Sequence, residues 1–216
     1  MARTFIGLSL AERESLPARC AGCVYWESPE RLPIECGSAC DATRANDWVR
    51  TVAAEWGECG RVATEDGECL GFIKYAPARY VPQARHMPAG PPLGDVPLIT
   101  CLHIAPEARR HGLGGVLLRE ALRDLASRNE KSVQAYALAH RMDLDLAPMV
   151  GVEFLLRSGF TVARPHPETP LLRVDLKSLV SWADNVEAVL QSLRLPVRVP
   201  KRTPVPLGLL AGCSDD

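Results

Sequence analysis

The sequence predicts a mixed α/β domain, and three observations carry that expectation. Asp66-Gly67 stands between two apolar runs, which is the strongest short-range hairpin signal. The strand-like run Pro97–Ile104 feeds a glycine-bearing turn, an amphipathic helical stretch and a second strand-like run, the order of a parallel crossover unit. Hydrophobic residues make up 47% of the chain and charged residues 24%, the balance of a sequence that packs a core. At 216 residues there is room for one generous domain.

Taken in order, Arg3 to Leu8 has strand character, and Ser9-x-x-Glu12 has the form of a capping box opening a short helix that ends before Pro17. The segment 17–43 reads as loop. From Arg44 to Trp56, residues Trp48, Val49, Val52, Ala53 and Trp56 recur at three- and four-residue spacing and predict a helix with an aromatic face. Cys59–Thr64 and Cys69–Ala76 are the arms of the hairpin. Between Pro77 and Pro97, six prolines together with Gly90 and Gly94 exclude regular structure and leave a long excursion of the kind that carries function. After Pro97–Ile104, Val116, Leu117, Ala121, Leu122 and Leu125 form a helical stripe; Arg119, Arg123, Asp124 and Arg128 lie off it, with Asp124 spaced to pair with Arg128. Lys131–Leu138 reads as a strand and Pro148–Ser158 as a helix closed by Gly159. Phe160–Arg164 and Leu171–Leu176 read as strands around Pro165, Pro167 and Pro170. Ser178–Leu193 carries a last amphipathic stripe, suited to packing on the domain or to a homodimer contact, and Pro196, Pro200, Pro204 and Pro206 punctuate a flexible tail. The organisation expected is a domain over 1–176 with its core in 44–176, an appended helix over 177–195 and a tail over 196–216.

Charge narrows the partners. With 25 basic and 26 acidic residues the formal charge is −1, so there is no basic excess to neutralise a nucleic-acid backbone or an anionic membrane surface. No run of about 18 apolar residues occurs, and Glu12, Arg13 and Glu14 interrupt the N-terminal stretch, which predicts a soluble, cytoplasmic protein. Eight cysteines are too sparse for a disulfide scaffold. Cys20-x2-Cys23 followed by Cys36-x3-Cys40 has the close pairing of a tetrahedral zinc site, which would make the N-terminal stretch an interaction module. The second spacing of three and the apolar run from Cys23 to Trp26 favour reduced, packed thiols instead.

The chemistry-bearing feature is the turn Arg109-x-x-Gly112-x-Gly114. A strand that turns through it directly into a helix gathers backbone N–H groups at the positive end of a helix dipole, an anion site to which Arg109, Arg110 and His111 add charge. The spacing fits neither the phosphate loop of nucleotide hydrolases nor the dinucleotide fingerprint, and no G-x-S-x-G nucleophile elbow is present. The order of hairpin, strand, R-x-x-G-x-G turn, helix, strand, helix, Arg157-Ser158-Gly159-Phe160 and two further strands resembles the GNAT-type N-acetyltransferase superfamily. The resemblance covers about residues 44 to 176, with its best matches at Leu102–Pro106, Arg109–Gly115 and Leu155–Phe160.

That resemblance implies a central, mostly antiparallel sheet of about seven strands with a splayed parallel pair, flanked by helices. It implies acetyl-CoA as acyl donor, its pantetheine arm on the backbone of Leu102, His103 and Ile104 and its pyrophosphate on the turn from Arg109 and Arg110 through His111, Gly112, Leu113 and Gly114 to Gly115. It further implies an amine acceptor in the gap between the splayed strands. Amine acylation needs a neutral amine, a stabilised oxyanion and a proton for the leaving thiolate. The positions where relatives carry a base match Leu98 and Thr100, and the position of their tyrosine acid holds Leu155, so neither usual group is in place. Asp95, just ahead of the cofactor strand, and Glu27, in the Tyr25-Trp26-Glu27 segment, are the carboxylates placed to act as base; Glu153 is a third. Without one, the same fold would serve as a non-catalytic acyl-CoA-binding regulatory or assembly protein. His103, between Leu102 and Ile104, is expected to point away from the core, and the segments 17–43 and 77–97 are expected to shape the acceptor pocket.

Overall fold

Eight strands form one sheet, flanked by helices on both faces, in the computed structural model, which describes residues 3–35, 37–139 and 147–177. The helix expected over Ser178–Leu193, the tail after it, Cys36 and His140 lie outside the described residues.

The first strand, β1 (Thr4–Gly7), pairs antiparallel with β2 (Gly60–Glu65). Helix α1 (Leu10–Glu14) starts at Ser9, whose hydroxyl accepts from the Ala11 amide at 3.2 Å, a side-chain cap of the kind the Ser9–Glu12 spacing predicts. A short α2 (Ala18–Ala21) follows, and α3 (Ala42–Glu55) is capped by Asp41, which accepts from the Arg44 amide at 2.9 Å. α3 buries Ala45, Val49 and Val52, while Ala53 faces solvent and Trp48 and Trp56 are half-buried at its edges. The hairpin of β2 and β3 (Glu68–Pro77) closes through Asp66 and Gly67 at φ 52° and 87°, the left-handed pair that a two-residue hairpin turn requires.

The excursion after β3 is regular only as two 3₁₀ turns, Ala78–Tyr80 and Pro82–His86, but it is tightly held. Tyr136 donates to the Gly90 carbonyl at 2.6 Å, Gln134 bonds both the amide and the carbonyl of Leu93, and Arg164 donates to the carbonyls of Ala89 and Pro91.

β4 (Pro97–Ile104) runs antiparallel to β3 with one irregularity: Lys74 faces Cys101 and Tyr75 faces Ile99, so Thr100 is an extra residue. Its hydroxyl donates to the Lys74 carbonyl at 3.1 Å. This bulge shifts the phase of β4 by one residue. Ile99, Leu102 and Ile104 pack on the α4 side of the sheet, and Leu98 and Cys101 on the α3 side.

Helix α4 (Leu113–Ser127) buries Leu113, Leu117, Leu118, Ala121, Leu122 and Leu125, and β5 (Ser132–Leu138) then lies parallel to β4, completing the expected crossover. The predicted helix over Pro148–Ser158 is shorter than expected. Val150–Gly151 forms β6, parallel to β5 at Ala137 and Leu138, and α5 spans Val152–Arg157. β6 is the strand beyond the seven anticipated. A helix end at Gly159 (φ 90°) is confirmed: Phe160 N bonds Leu155 O and Gly159 N bonds Leu156 O, the two bonds of a Schellman cap. β7 (Thr161–Arg164) and β8 (Leu171–Asp175) complete the order β1-β2-β3-β4-β5-β8-β7.

Two apolar layers cover the sheet. One lies under α4 and includes Ile73, Tyr75, Ile99, Val133 and Leu155; the other lies under α3 and the N-terminal segment and includes Tyr25, Trp26, Val49, Phe72 and Tyr136. Asp124 is not a solvated helix charge. It accepts from Tyr75 at 2.7 Å, from Arg61 at 2.8 Å and pairs with Arg128 at 2.6 Å, while Arg128 stacks over Trp56.

Candidate active site

β4 and β5 pair only at Leu98–Gln134 and Ile99–Ala135 and then diverge, with β6 continuing the pairing on the β5 side. The gap begins beside the Thr100 bulge. The Ala105 amide donates to the Leu70 carbonyl, so by the alternation of an antiparallel ladder the backbone groups of Leu102 and Ile104 point off β3, toward the gap. The Ile104 carbonyl confirms this direction by accepting from Arg109 Nε at 2.9 Å. His103 is in the opposite phase, and its backbone faces β3.

At the end of β4 the turn enters α4 with Arg110 at φ 64° and Gly112 at φ 78°. Arg110, His111 and Gly112 are exposed and Leu113 is buried. A Cβ built on Gly112 meets nothing within 4 Å, so the protein itself leaves the space before the helix open. A Cβ on Gly114 would touch Ile104 and Phe154 at 3.7 Å, at the edge of the gap. The turn, the N-terminus of a fifteen-residue helix and the outward backbone of Leu102 and Ile104 thus form one continuous track suited to an elongated anionic ligand.

On the α3 side a cleft of about 700 Å³, its mouth included, is lined by Leu8, Arg13, Leu16, Cys20, Cys23, Tyr25, Trp26, Glu27, Ala45, Trp48, Val49, Phe72, Lys74, Cys101, Leu102, His103, Ala147 and Pro148. The wall comes from the 17–43 segment, held by Trp26: its indole donates to the Pro148 carbonyl at 2.7 Å and stacks on Tyr136. Glu27 follows directly and is carried inward, its side chain only 2% exposed. One carboxylate oxygen accepts from the Lys74 ammonium; the other, Oε2, has no hydrogen-bond partner among the described residues. Lys74 in turn lies 5.0 Å from the centre of the Trp48 ring. Burial acts to lower the Lys74 ammonium, but the charge and hydrogen bond of Glu27, with the thiols of Cys101 and Cys23, outweigh it and hold the ammonium above its ordinary range. Burial pushes the Tyr25 phenol up to about 12.

Arg13 also enters the cleft, though no sequence signal singled it out. Both its terminal nitrogens donate to the Ala21 carbonyl, and its buried Nε has no partner among the described residues. Burial lowers its pKa, against the charges of Glu27 and Glu14.

The sequence-chosen residues therefore divide. Glu27 sits in the cleft. Asp95 does not line it: half-exposed, it accepts from the Arg79 amide at 3.0 Å and pairs with the Arg79 guanidinium, capping the 78–80 turn. Glu153 opens α5 and is exposed. Leu155 is fully buried in the core. The bulge places Cys101 and His103, not Thr100, on the cleft face, and His103 stacks on Phe72 with its ring lining the cleft, contrary to the outward direction expected. The excursion 77–97 contributes no lining residue to this cleft. Of the four thiols with zinc-like spacing, Cys23 and Cys40 form an isolated antiparallel bridge; among the described residues no three His, Cys, Asp or Glu side chains are arranged to hold a metal ion. Nor is any helix of the described residues long and apolar enough to cross a membrane.

No curated protein sequence matches the chain. Solved structures do. An N-acetyltransferase from Staphylococcus aureus Mu50 is 13% identical with a TM-score of 0.55, over 82% of this chain and 99% of its own. The loading GNATL domain of CurA from Lyngbya majuscula is 15% identical with a TM-score of 0.53, over 82% of this chain and 100% of its own. A ribosomal-protein-alanine N-acetyltransferase from Brucella melitensis is 16% identical with a TM-score of 0.53, over 80% of this chain and 99% of its own. At such identities the likeness is one of fold. The profile of the acetyltransferase (GNAT) family matches residues 23–143, more than half of the chain and the stretch that holds the cleft wall, the split strands and the glycine turn, and the chain belongs to that family.

Proposed function

We propose that the protein transfers the acetyl group of acetyl-CoA to a primary amine held in the cleft. The observation that carries this reading is the Glu27 carboxylate: buried, fixed at one oxygen by Lys74 and without a hydrogen-bond partner at the other among the described residues, in a cleft whose lining includes Leu102 of the splayed strand. The donor's pyrophosphate fits the amides from Arg110 to Gly115, and its pantetheine arm fits the outward backbone of Leu102 and Ile104. His103 contributes its side chain to the acceptor side instead.

Glu27 Oε2 takes a proton from the acceptor ammonium. The neutral nitrogen attacks the thioester carbonyl, a C–N bond forms as the C–S bond breaks, and the nitrogen's second proton leaves with the thiolate as free CoA thiol. Preorganisation of the carboxylate by Lys74 costs nothing during the reaction. The test is release of CoA thiol from acetyl-CoA across a panel of amines. Glu27→Gln is expected to lower kcat/KM by roughly 10²-fold or more, the scale of general base catalysis. Unchanged turnover in that variant, or no protection of the fold by acetyl-CoA against thermal unfolding, refutes the reading.

A further inference from the structure

Two residues that line the cleft each carry a buried polar atom with no partner among the described residues, and the two atoms are of opposite kind. The Glu27 carboxylate oxygen Oε2 can only accept, and Arg13 Nε can only donate. Both residues are 7% exposed. Their other polar atoms are already committed, Glu27 Oε1 to Lys74 and the terminal nitrogens of Arg13 to the Ala21 carbonyl. Each group is thus held in place with one buried polar atom that no described residue satisfies. A buried donor and a buried acceptor left open in one cleft are complementary to a ligand that carries one of each.

From this complementarity we propose that the ligand of the cleft is an aminocarboxylate, an amino-acid-like molecule whose ammonium meets Glu27 and whose carboxylate meets Arg13. This rests on reading the cleft as the acceptor site. Charge supports the same class. Among the described residues the charged groups lining the cleft are Arg13 from α1, Glu27 from the segment before α3 and Lys74 from β3, a sum of +1 with Glu27 already paired to Lys74. A zwitterion leaves that sum unchanged and brings a carboxylate to Arg13, which makes no direct ion pair among the described residues and feels Glu27 and Glu14 only at longer range. A simple amine raises it to +2 and a diamine further, in a site where water is scarce and like charges interact strongly. The remaining wall suits an apolar or aromatic side chain, since Tyr25, Trp48 and Phe72 face the same space.

The test uses the whole chain and calorimetric binding in the presence of CoA. The twenty standard amino acids are screened, and the tightest is compared with its decarboxylated amine and its deaminated acid; for phenylalanine these are phenethylamine and 3-phenylpropanoate. Binding of the amino acid at least tenfold tighter than of either counterpart is expected. Arg13→Gln should erase the advantage over the amine, and Glu27→Gln the advantage over the acid. The ligand comparison on the unmodified protein stands even where Arg13→Gln fails to fold. Equal or tighter binding of the amine, binding of none of the twenty, or tighter binding of an N-terminal peptide amide overturns the proposal. Thiol release separates the two readings: equal CoA release from the amine and the amino acid leaves acetyl transfer standing and removes the aminocarboxylate, whereas selective binding without CoA release does the reverse.

Discussion

Replacing Lys74 by Met tests whether the cleft is built around an ion pair. The Lys74 and Glu27 side chains are 14% and 2% exposed and share a hydrogen bond, with the ammonium also over the Trp48 ring. At about 3 Å and an effective dielectric near 20, their attraction is roughly 5 kcal/mol before desolvation is charged against it. Removing one partner leaves a buried charge without its counter-ion, which costs about 3–5 kcal/mol; the nearby Arg13 charge compensates Glu27 in part, so the lower end, about 3 kcal/mol, is expected. The double variant with Lys74→Met and Glu27→Met removes both charges and should lie within about 1 kcal/mol of the parent, because desolvation no longer has to be overcome. Urea unfolding at pH 7, followed by tryptophan fluorescence with equal m-values, reads the cycle. Loss below about 1 kcal/mol in the single variant, or a double variant equal to the sum of the singles, refutes the pair's role. The alkaline limb supplies a second sign. In the parent the folded-state pKa of Lys74 is raised, so its contribution is complete below the ordinary 10.5 and is lost as pH climbs through the folded value. Glu27→Gln leaves only the thiols of Cys101 and Cys23 against burial, so the folded-state pKa is expected to fall below 10.5, and between the two values stability should rise with pH instead.

Three further outcomes follow from the same geometry. Gly112→Ala places a Cβ where no protein atom lies within 4 Å, so the fold bears only the left-handed backbone penalty at φ 78°, about 1 kcal/mol, while acetyl-CoA affinity by calorimetry should fall at least tenfold; unchanged affinity moves the pyrophosphate elsewhere. Asp95→Asn weakens an exposed pair with Arg79 and should lower the melting midpoint by the equivalent of less than about 1 kcal/mol with CoA release within twofold; a hundredfold loss of turnover would return Asp95 to the chemistry. Burial pushes the Cys59 thiol up to about 11, so the unfolded chain ionises there first, and the protection, up to about 3 kcal/mol, is present below pH 9 and lost between pH 9 and 11; Cys59→Ala should flatten that part of the stability profile.

Most elements were legible because their signals are local. Asp66-Gly67 fixes a turn, Gly159 stops a helix, and the α4 stripe needs only its own periodicity. What the sequence hid is set by contacts distant along the chain. Period-two counting along Pro97–Ile104 puts Thr100 on the cleft face, and only the pairing with β3 shows it to be the extra residue that hands that face to Cys101 and His103. The two residues of β6 carry no period of their own and in sequence merge with the helix that follows; pairing with β5 makes them a strand. The i, i+4 spacing foretells the pair of Asp124 with Arg128, whereas Arg61 and Tyr75, some sixty and fifty residues earlier, reach Asp124 only in the folded chain. Lys74 carries a signal in the sequence itself: it is the one charge inside the run Leu70–Ala76, and a lone lysine within an apolar strand asks for a partner.

The division between what was legible and what was not follows the division of labour in the site. The track proposed for the donor is made of backbone groups, the amides of a glycine turn and the outward edge of β4, so its sequence signature is a requirement for conformation and can be read from glycines and strand order alone. The cleft proposed for the acceptor is made of side chains brought from α1, the 17–43 segment, α3, β3 and β4, whose only shared property is that they meet. Backbone recognition tolerates ordinary side chains and therefore keeps one donor across a family. Side-chain recognition changes with single substitutions. Specificity in this chain should accordingly move with Arg13 and Glu27 while donor binding stays fixed, so a variant such as Arg13→Leu is expected to change which amines release CoA without changing acetyl-CoA affinity beyond about twofold, and a parallel loss of both would show that Arg13 supports the fold rather than the choice of acceptor.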